Sequence, residues 1–514
     1  MKKIIIILTG VVILSGISCR KYVDVNSPNP NNPISVTPDI LLAGALNSTV
    51  RIMDGTSSDR DIGVQIRSFD ELGWWMGYWV VAGTYVPASL DLQYSEPNDY
   101  KQEVWANLYH NINDYKNIEA AGIANKTPFY IGVAKIMEAY NFQTLVDLYG
   151  NVPYSQAFRG TLNLHPKYDD QKSIYSSLVN QVDSGILAIK SDPNTASNPN
   201  DIMFQGNHGK WVRFANTIKL RMLTRQSEVA GIGSLVTVEL NKVGTDGFMN
   251  PNEGAYVNPG YQNSTAKQSP FWATYGYTVS LAPNANNQYF KANQFAINFY
   301  QTNGDDRLGY FYSPGVGGKY FGGVFGVTGV PGQSGIGGNA TDGGSSIQDP
   351  TKPNPSGLLQ GSGQSAVLLS SFENQFLLAE AAFRGWISGN PQTYYEEGIK
   401  ESFEYLKVKS ADSAALAYYS QNAKNVGFVA SSNKLEAIVT QKWAALNGIS
   451  FLEPYNDWRR LNYPSNLPKS PQATSATIPR RFEYPQSEFS TNNANIAAQG
   501  TINRFTSKLF WDVH

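Results

Sequence analysis

The feature that most constrains this chain is a series of apolar stripes at helical spacing, arranged in pairs. The clearest pair lies between residues 96 and 150, where a polar break at 125–128 separates two predicted helices. Their apolar faces are marked by Val104, Leu108, Ile112 and Tyr115 in the first helix, and by Phe129, Val133, Ile136 or Met137, Tyr140 and Leu145 in the second. A short break between two amphipathic helices predicts an antiparallel hairpin.

Similar pairs are predicted further along the chain, at 169–192 with 208–230, at 370–388 with 391–408, and at 431–448 with 453–461. Each pair has the size of a tetratricopeptide unit, but the spacing between pairs is irregular and the repeat signature is absent. We therefore predict a mostly α protein built from divergent helical pairs. Its body spans 38–514, with helical pairs at 38–244 and carboxy-terminal helical pairs and loops at 367–514.

A glycine-rich insertion separates these two helical portions. The helical period fails between 245 and 366, and thirteen of the 30 residues from Gly315 to Gly344 are glycine. We expect loops with short strands here, and loops on a rigid scaffold are common places for binding contacts. The segment GIGGNA, 335–340, imitates a dinucleotide fingerprint, but no predicted strand precedes it and no helical run follows.

The amino terminus has the pattern of a secretory signal. Lys2 and Lys3 precede an apolar run at 4–13, and small residues lie just before Cys19, the only cysteine. The apolar run is shorter than the roughly 20 residues of a membrane-spanning helix. We predict a signal peptide at 1–18. The ending LSGISC resembles the lipobox of bacterial lipoproteins, which implies that Cys19 is lipidated after cleavage. The alternative is an ordinary signal peptide that leaves a free thiol.

A stretch rich in proline and asparagine follows the cysteine. Residues 19–37 are expected to hold the lipidated Cys19 and an extended tether. Thr37 and Pro38 then predict the start of a helix that continues to about Met53. A second helix is predicted from about 58 to 79.

Composition narrows the class of ligand. The net charge is −1, and charged residues make up 16% of the chain, against roughly 25% in an average soluble protein. No basic excess indicates nucleic acid. The chain instead has 30 Tyr, 24 Phe and 10 Trp. Aromatic side chains among many amides and hydroxyls suit neutral ligands that stack and form hydrogen bonds.

Catalytic and cofactor motifs are not found. The four histidines, His110, His165, His208 and His514, show neither HExxH pairing nor metal-ligand spacing. The sequence has no GxSxG elbow, P-loop or CxxC. Asp305 and Asp306 are adjacent, and we interpret them as a solvated turn or an ion pair with Arg307. We predict no enzyme activity, no catalytic residue, no cofactor and no metal.

Five motifs in the helical portions carry a resemblance to a known family: WVRFANTIKLRMLTRQ at 211–226, FENQFLLAEAAFRGW at 372–386, LEAIVTQKWAALNG at 435–448, EPYNDWRRLNYP at 453–464 and IPRRFEYPQSE at 478–488. Together they resemble the SusD/RagB-like family of outer-membrane nutrient-binding lipoproteins of Bacteroidetes. The resemblance implies a SusD-like right-handed helical scaffold with four tetratricopeptide-like pairs. It also implies a lipid-anchored protein of the outer membrane, facing the cell exterior, that partners a SusC-like TonB-dependent transporter and captures oligosaccharides or oligopeptides.

We interpret the basic residues of these motifs as structural. Arg459, Arg460, Arg480 and Arg481 are expected to bind carboxylates and helix ends, because guanidinium groups usually order a fold where no anionic ligand is implied. The same holds for the helix that carries Asn216, Lys219, Arg221 and Arg225.

Ligand contacts are expected in two regions. The predicted site residues near the second helix are Trp74, Tyr78, Tyr85, Asp91, Tyr94 and Asn98, and those in the insertion are Trp272, Tyr275, Tyr277, Tyr310 and Tyr312. The spacing of Leu72, Trp75, Met76 and Trp79 indicates core instead. Three functions remain open: capture of oligosaccharides, capture of oligopeptides, and glycoside hydrolysis. A hydrolase needs a carboxylate pair in the same cleft as the aromatic rings.

Overall fold

The computed structural model describes residues 37–54, 69–85, 89–329, 332–337 and 356–514. The predicted signal peptide, Cys19 and most of the tether lie outside these residues, as does most of the first half of the predicted second helix. The described chain is mostly helical. The larger helices are α1 (Pro38–Met53), α4 (Gln102–Asn125), α5 (Pro128–Tyr149), α6 (Gln171–Ser191), α7 (His208–Arg225), α8 (Ile232–Asn241), α13 (Ser371–Phe383), α14 (Pro391–Tyr405), α16 (Lys434–Ala445) and α17 (Leu452–Leu461).

Shorter elements fill the remaining described chain. The short helices are α2 (Asp70–Trp75), α3 (Ser89–Gln93), α9 (Pro270–Tyr275), α10 (Ala285–Tyr289), α11 (Gln294–Thr302), α12 (Leu308–Phe311), α15 (Ala411–Tyr419), α18 (Gln486–Thr491) and α19 (Asn493–Ala497). The strands are β1 (Trp79–Val81), β2 (Val152–Pro153), β3 (Tyr168–Asp169), β4 (Ala255–Val257), β5 (Phe290–Ala292), β6 (Tyr312–Ser313), β7 (Gly335–Ile336) and β8 (Ala366–Leu369).

The predicted helical pairs are confirmed. Helices α4 and α5 pack together, as do α5 with α6, α6 with α7, and α13 with α14. The break between α4 and α5 has a clear cause: Lys126 adopts the left-handed conformation at the end of α4, and Pro128 begins α5. The backbone N–H of Phe129 then donates to the Asp192 carboxylate at 2.8 Å, so α5 is capped by the chain that follows α6.

Two glycines allow α5 and α6 to approach closely. A Cβ atom at Gly132 would lie 2.5 Å from the carbonyl oxygen of Gly185, and a Cβ atom at Gly185 would lie 2.8 Å from that of Gly132. Both positions are buried in the helix interface. The pair therefore depends on the absence of side chains at this crossing.

The motif arginines are structural, as predicted. Arg460 binds the Glu380 carboxylate of α13 at 2.5 Å and that of Asp457 at 2.9 Å. Arg480 binds Asp512 at 2.5 Å, and Arg459 donates to the backbone carbonyl of Arg480 at 2.9 Å. These bonds join α17 to α13 on one side and to the carboxy-terminal loops on the other.

The insertion contains more regular structure than expected. Its four short helices, α9 to α12, were predicted as loop because each is too short to show a helical period. Its strands β5, β6 and β7 join β1 in an antiparallel sheet of order β1-β5-β7-β6. The predicted helix to residue 79 is also corrected: α2 ends at Trp75, and Trp79 begins β1 instead. Among the described helices, none has the length and apolarity to cross a membrane.

Candidate ligand-binding surfaces

The structure brings the two predicted site regions together, but mostly inside the core. Eight of the predicted aromatic residues have side chains with at most 7% exposure: Trp74, Tyr78, Tyr94, Trp272, Tyr275, Tyr277, Tyr310 and Tyr312. Because their rings have no open face, they are packing residues in this structure and not exposed platforms. The insertion itself is the cause, since β5 pairs with β1 and covers this side of α2.

The buried tyrosines also use their hydroxyl groups within the protein. Tyr78 donates to the carbonyl of Trp443 at 2.7 Å, and Tyr312 donates to the carbonyl of Tyr78 at 2.8 Å. Tyr275 donates to the Asp70 carboxylate at 2.6 Å. Hydroxyl groups bonded in this way hold the insertion against α2 and α16.

Other predicted contacts are buried for local reasons. The Tyr94 hydroxyl accepts from the backbone N–H of Ser470 at 3.2 Å, and the Tyr310 hydroxyl accepts from that of Lys409 at 2.8 Å. The ring of Trp272 packs on that of Tyr277 with their centroids 5.3 Å apart. Asp91 is buried as well, next to the hydroxyl of Tyr100.

Tyr85 is the predicted aromatic residue that reaches the surface. Its side chain is 39% exposed, and its ring meets that of Tyr289 edge to face, with the centroids 5.2 Å apart. A tight turn places it there, because the Tyr85 N–H donates to the carbonyl of Ala82 at 2.9 Å. The Ala82 N–H in turn donates to the carbonyl of Tyr289 at 2.7 Å. Sequence reasoning missed Tyr289, which is the last residue of α10 in the insertion.

A buried amide lies beside this tyrosine pair. Gln333 accepts from the backbone N–H of Gly83 through its Oε1 atom at 2.8 Å. Its Nε2 atom is buried and has no hydrogen-bond partner within the described chain. The amide packs against Gly323, where a Cβ atom would lie 2.4 Å from that Nε2 atom. We call Tyr85, Tyr289 and Gln333 the tyrosine surface; its rings supply an apolar face, and its buried amide holds the turn that carries Tyr85 through the Gly83 N–H.

A separate cleft contains the predicted contact residue Asn98. It is narrow, with a cavity volume of about 50 Å³, and lies beside the start of α4 and the PRRFEYP segment. Trp75, Tyr149 and Phe482 contribute apolar edges, and the charged residues of its wall are Glu71, Glu96, Lys101, Arg481, Glu483 and Arg504. Asn98 is half-buried, and its backbone carbonyl accepts from the N–H of Gln486 at 2.9 Å.

The carboxylates of this cleft are bound to cations of the protein. Glu71 pairs with Lys101, and Glu96 and Glu483 pair with Arg504 at 2.7 and 3.0 Å. Burial raises the pKa of Glu71 to about 7, although the positive charge of Lys101 acts to lower it. Burial also raises the pKa of Glu96 to about 7. A carboxylate pair thus shares a cleft with aromatic edges, but each member is tied to a basic side chain.

One of the two adjacent acids in the insertion, Asp305, forms the ion pair with Arg307 that one of the two interpretations predicted, while Asp306 is exposed. The Asp305 carboxylate binds Arg307 at 2.7 Å with both side chains fully buried. Arg307 also donates to Ser402 at 2.8 Å and to Gln441 at 3.0 Å. It thereby joins the insertion to α14 and α16. The described residues contain no group of three or more metal-ligating side chains.

Comparison with known proteins places this architecture in one class. A family described as "Starch-binding associating with outer membrane", SusD-like, matches residues 30–485. Solved structures share the fold. A SusD homologue from Bacteroides fragilis is 20% identical with a TM-score of 0.71, over 93% of this chain and 99% of that one. A chitin-binding SusD homologue from Flavobacterium johnsoniae is 21% identical with a TM-score of 0.72, over 92% and 99%.

A further structure, of a protein described as chitin-binding, is 25% identical with a TM-score of 0.70, over 92% of this chain and all of that chain. The body of helical pairs with a loop-rich insertion therefore defines a nutrient-binding protein of the outer membrane. The chain belongs to the SusD-like family, as its motifs indicated. This is a family of binding proteins. No curated protein sequence matches the chain.

Proposed function

We propose that this protein captures neutral oligosaccharides at the cell surface without cleaving them and delivers them to a SusC-like TonB-dependent transporter. The observation that carries the proposal is the tyrosine surface. Tyr85 and Tyr289 form an edge-to-face pair, and the ring of Tyr85 is exposed. Sugars present flat apolar faces edged with hydroxyl groups, which match such a surface.

The near-neutral charge and the family support the same ligand class. The net charge of −1 gives no long-range attraction for strongly charged polymers. Two relatives of the same fold are described as chitin-binding, so chitin and starch oligosaccharides are the first ligands to test. The ion-paired carboxylates of the cleft at Asn98 favour binding over hydrolysis, because a general acid must be free to give its proton to the leaving group.

Affinity electrophoresis tests the ligand class and the surface together. The full-length protein should migrate more slowly in gels that contain glycol chitin or soluble starch, and Tyr85→Ala should weaken the retardation several-fold, since stacking contributes about 1 kcal/mol. The matched control is Phe383→Ala, because Phe383 is 42% exposed on another element, α13. Equal retardation of wild type and Tyr85→Ala would place the ligand elsewhere.

A second variant separates binding from folding. Trp272 is 3% exposed, so Trp272→Ala should lower the melting temperature, while Tyr85→Ala should change it little. Loss of binding in Tyr85→Ala together with a large loss of stability would show that Tyr85 is a packing residue and would remove the basis of the proposal.

The transporter partner requires its own experiment. A binding protein that does not cleave its ligand needs a gated pore to bring a large ligand inside, and we expect a stable complex with a TonB-dependent transporter. Pull-down from membranes solubilised in mild detergent should recover both proteins. Recovery of the binding protein alone would contradict this part of the proposal.

A further inference from the structure

A second pocket lies on the helical body, on elements that do not form the tyrosine surface. It has a volume of about 450 Å³, within the range of small-ligand sites. Its walls come from the turn between α4 and α5, the loop 192–207 and the first turn of α1. The residues that matter for the argument are Asp39, Phe129, Tyr130, Asp192, Asn194 and His208.

The loop that closes this pocket is held in place from inside. Asp201 is fully buried, and its carboxylate accepts from the N–H groups of Phe204 at 3.2 Å and Gly206 at 2.8 Å. It also accepts from the Trp211 indole of α7 at 2.8 Å. The pocket is therefore formed before any ligand binds, which lowers the entropy cost of binding.

The floor of the pocket is a ring stack. The imidazole of His208 lies over the ring of Phe129 with the centroids 4.9 Å apart and the planes 13° from parallel. Phe129 is buried while His208 is half-exposed, so the imidazole forms the outer face of the stack. This gives a flat surface on which a sugar ring can lie.

The rim of the pocket combines donors and acceptors. The Tyr130 hydroxyl accepts from Asn198 at 2.6 Å and retains its own proton, because burial and the nearby Asp39 raise its pKa to about 12. Asp39 remains a carboxylate: burial opposes ionisation, but hydrogen bonds from Thr37 and Asn200 lower its pKa. The ring nitrogens of His208 and the Nδ2 atom of Asn194 have no hydrogen-bond partner among the described residues.

We propose that this pocket is a second saccharide site that takes roughly one or two neutral sugar residues. A hydroxyl group can donate to Asp39 or Asp192 and accept from Tyr130 or Asn194, whereas a charged ligand would meet both carboxylates and the exposed Lys126. The inference rests on the proposed function for its ligand class, but on different residues.

Histidine NMR tests the site directly, because the chain has only four histidines. The full-length protein, labelled at histidine, is titrated with chitotriose and then with maltotriose. The His208 ring signal, assigned by its loss in His208→Gln, should shift saturably, while those of His110, His165 and His514 stay in place. The shift should persist in Tyr85→Ala, and Asn194→Ala should weaken it roughly five-fold.

The outcomes separate the two proposals. If calorimetry shows a heat of binding that depends on Tyr85, and the His208 signal does not shift, the second site is overturned and the proposed function stands. A His208 shift that disappears in Tyr85→Ala also overturns it, because the signal then reports the other surface. If the His208 signal shifts, but the heat of binding is the same in wild type and Tyr85→Ala, the second site is supported and the tyrosine surface is contradicted. Neither heat nor shift overturns both.

Discussion

Glu71 and Glu96 lie in one cleft, and both have a pKa of about 7 because they are buried. Burial also raises the pKa of Glu373 and of Glu401 to about 7. A raised carboxyl pKa means that the folded protein keeps protons which the unfolded chain has already released between about pH 4.5 and 7. These groups therefore make the folded state more stable as the pH falls through that window.

The resulting prediction is a stability that rises on mild acidification. The free energy of unfolding in urea should be larger at pH 5.5 than at pH 8, and Glu96→Gln should reduce the difference, because the amide imitates the protonated acid. Glu483→Gln is the control, since Glu483 also pairs with Arg504 but is 32% exposed. Equal stability at both pH values, or an unchanged difference in Glu96→Gln, would contradict the role of these carboxyls.

Individual residues also show which parts of a site can be predicted from one sequence. Helical spacing correctly marked Trp75 and Trp79 as core. The same rule left Trp74 and Tyr78 outside the apolar stripe, yet strand β5 and helix α16 cover them. Burial by a distant segment leaves no periodic signal near the residue it covers. The structural interpretation of the motif arginines agrees with the structure: no anionic ligand was implied for them, and Arg460 and Arg480 bind carboxylates of the protein itself.

At the scale of elements, the contact of α5 with α6 depends on Gly132 and Gly185. Replacing Gly132 with alanine should push the helices apart, because a Cβ atom there would lie 2.5 Å from the Gly185 carbonyl oxygen. We expect a loss of roughly 1–3 kcal/mol in the free energy of unfolding, as for other overpacked cores. Urea denaturation measures this change.

Gly233 is the matched control for that prediction. It lies in helix α8 with open space around the position of a Cβ atom, so Gly233→Ala should stabilise the protein by about 0.4–1 kcal/mol. If Gly132→Ala is as stable as Gly233→Ala, the helices can adjust and the close contact is not required.

Element prediction succeeded where the signal was local. The long helical pairs follow from apolar spacing and from breaks at proline and glycine, and their bounds agree within a few residues. The sheet β1-β5-β7-β6 could not be predicted, because its strands have only two or three residues and β1 pairs with β5 across more than 200 positions of sequence. The pairing of β1 with β5 in particular is fixed by tertiary contacts.

At the scale of the whole molecule, we propose that the protein is attached to the membrane through Cys19, the only cysteine of the sequence. Each buried CH₂ of an acyl chain contributes about 0.8 kcal/mol, so several chains would hold the protein at the membrane. Cys19→Ala should move the protein from the outer-membrane fraction to a soluble periplasmic or secreted pool. Fractionation is done in cells that lack the partner transporter, and continued membrane association there would exclude lipidation as the anchor.

Isothermal titration calorimetry on the full-length protein, with a reducing-sugar assay on the same samples, tests the central claim of capture without cleavage. The ligands are chitin and starch oligosaccharides, with mixed oligopeptides as the competing class. We expect saturable heat with at least one oligosaccharide, several-fold weaker in Tyr85→Ala and unchanged in Phe383→Ala, and no release of reducing ends. Binding of peptides alone, or sugar release that disappears when Glu71 or Glu96 is replaced, would contradict the account.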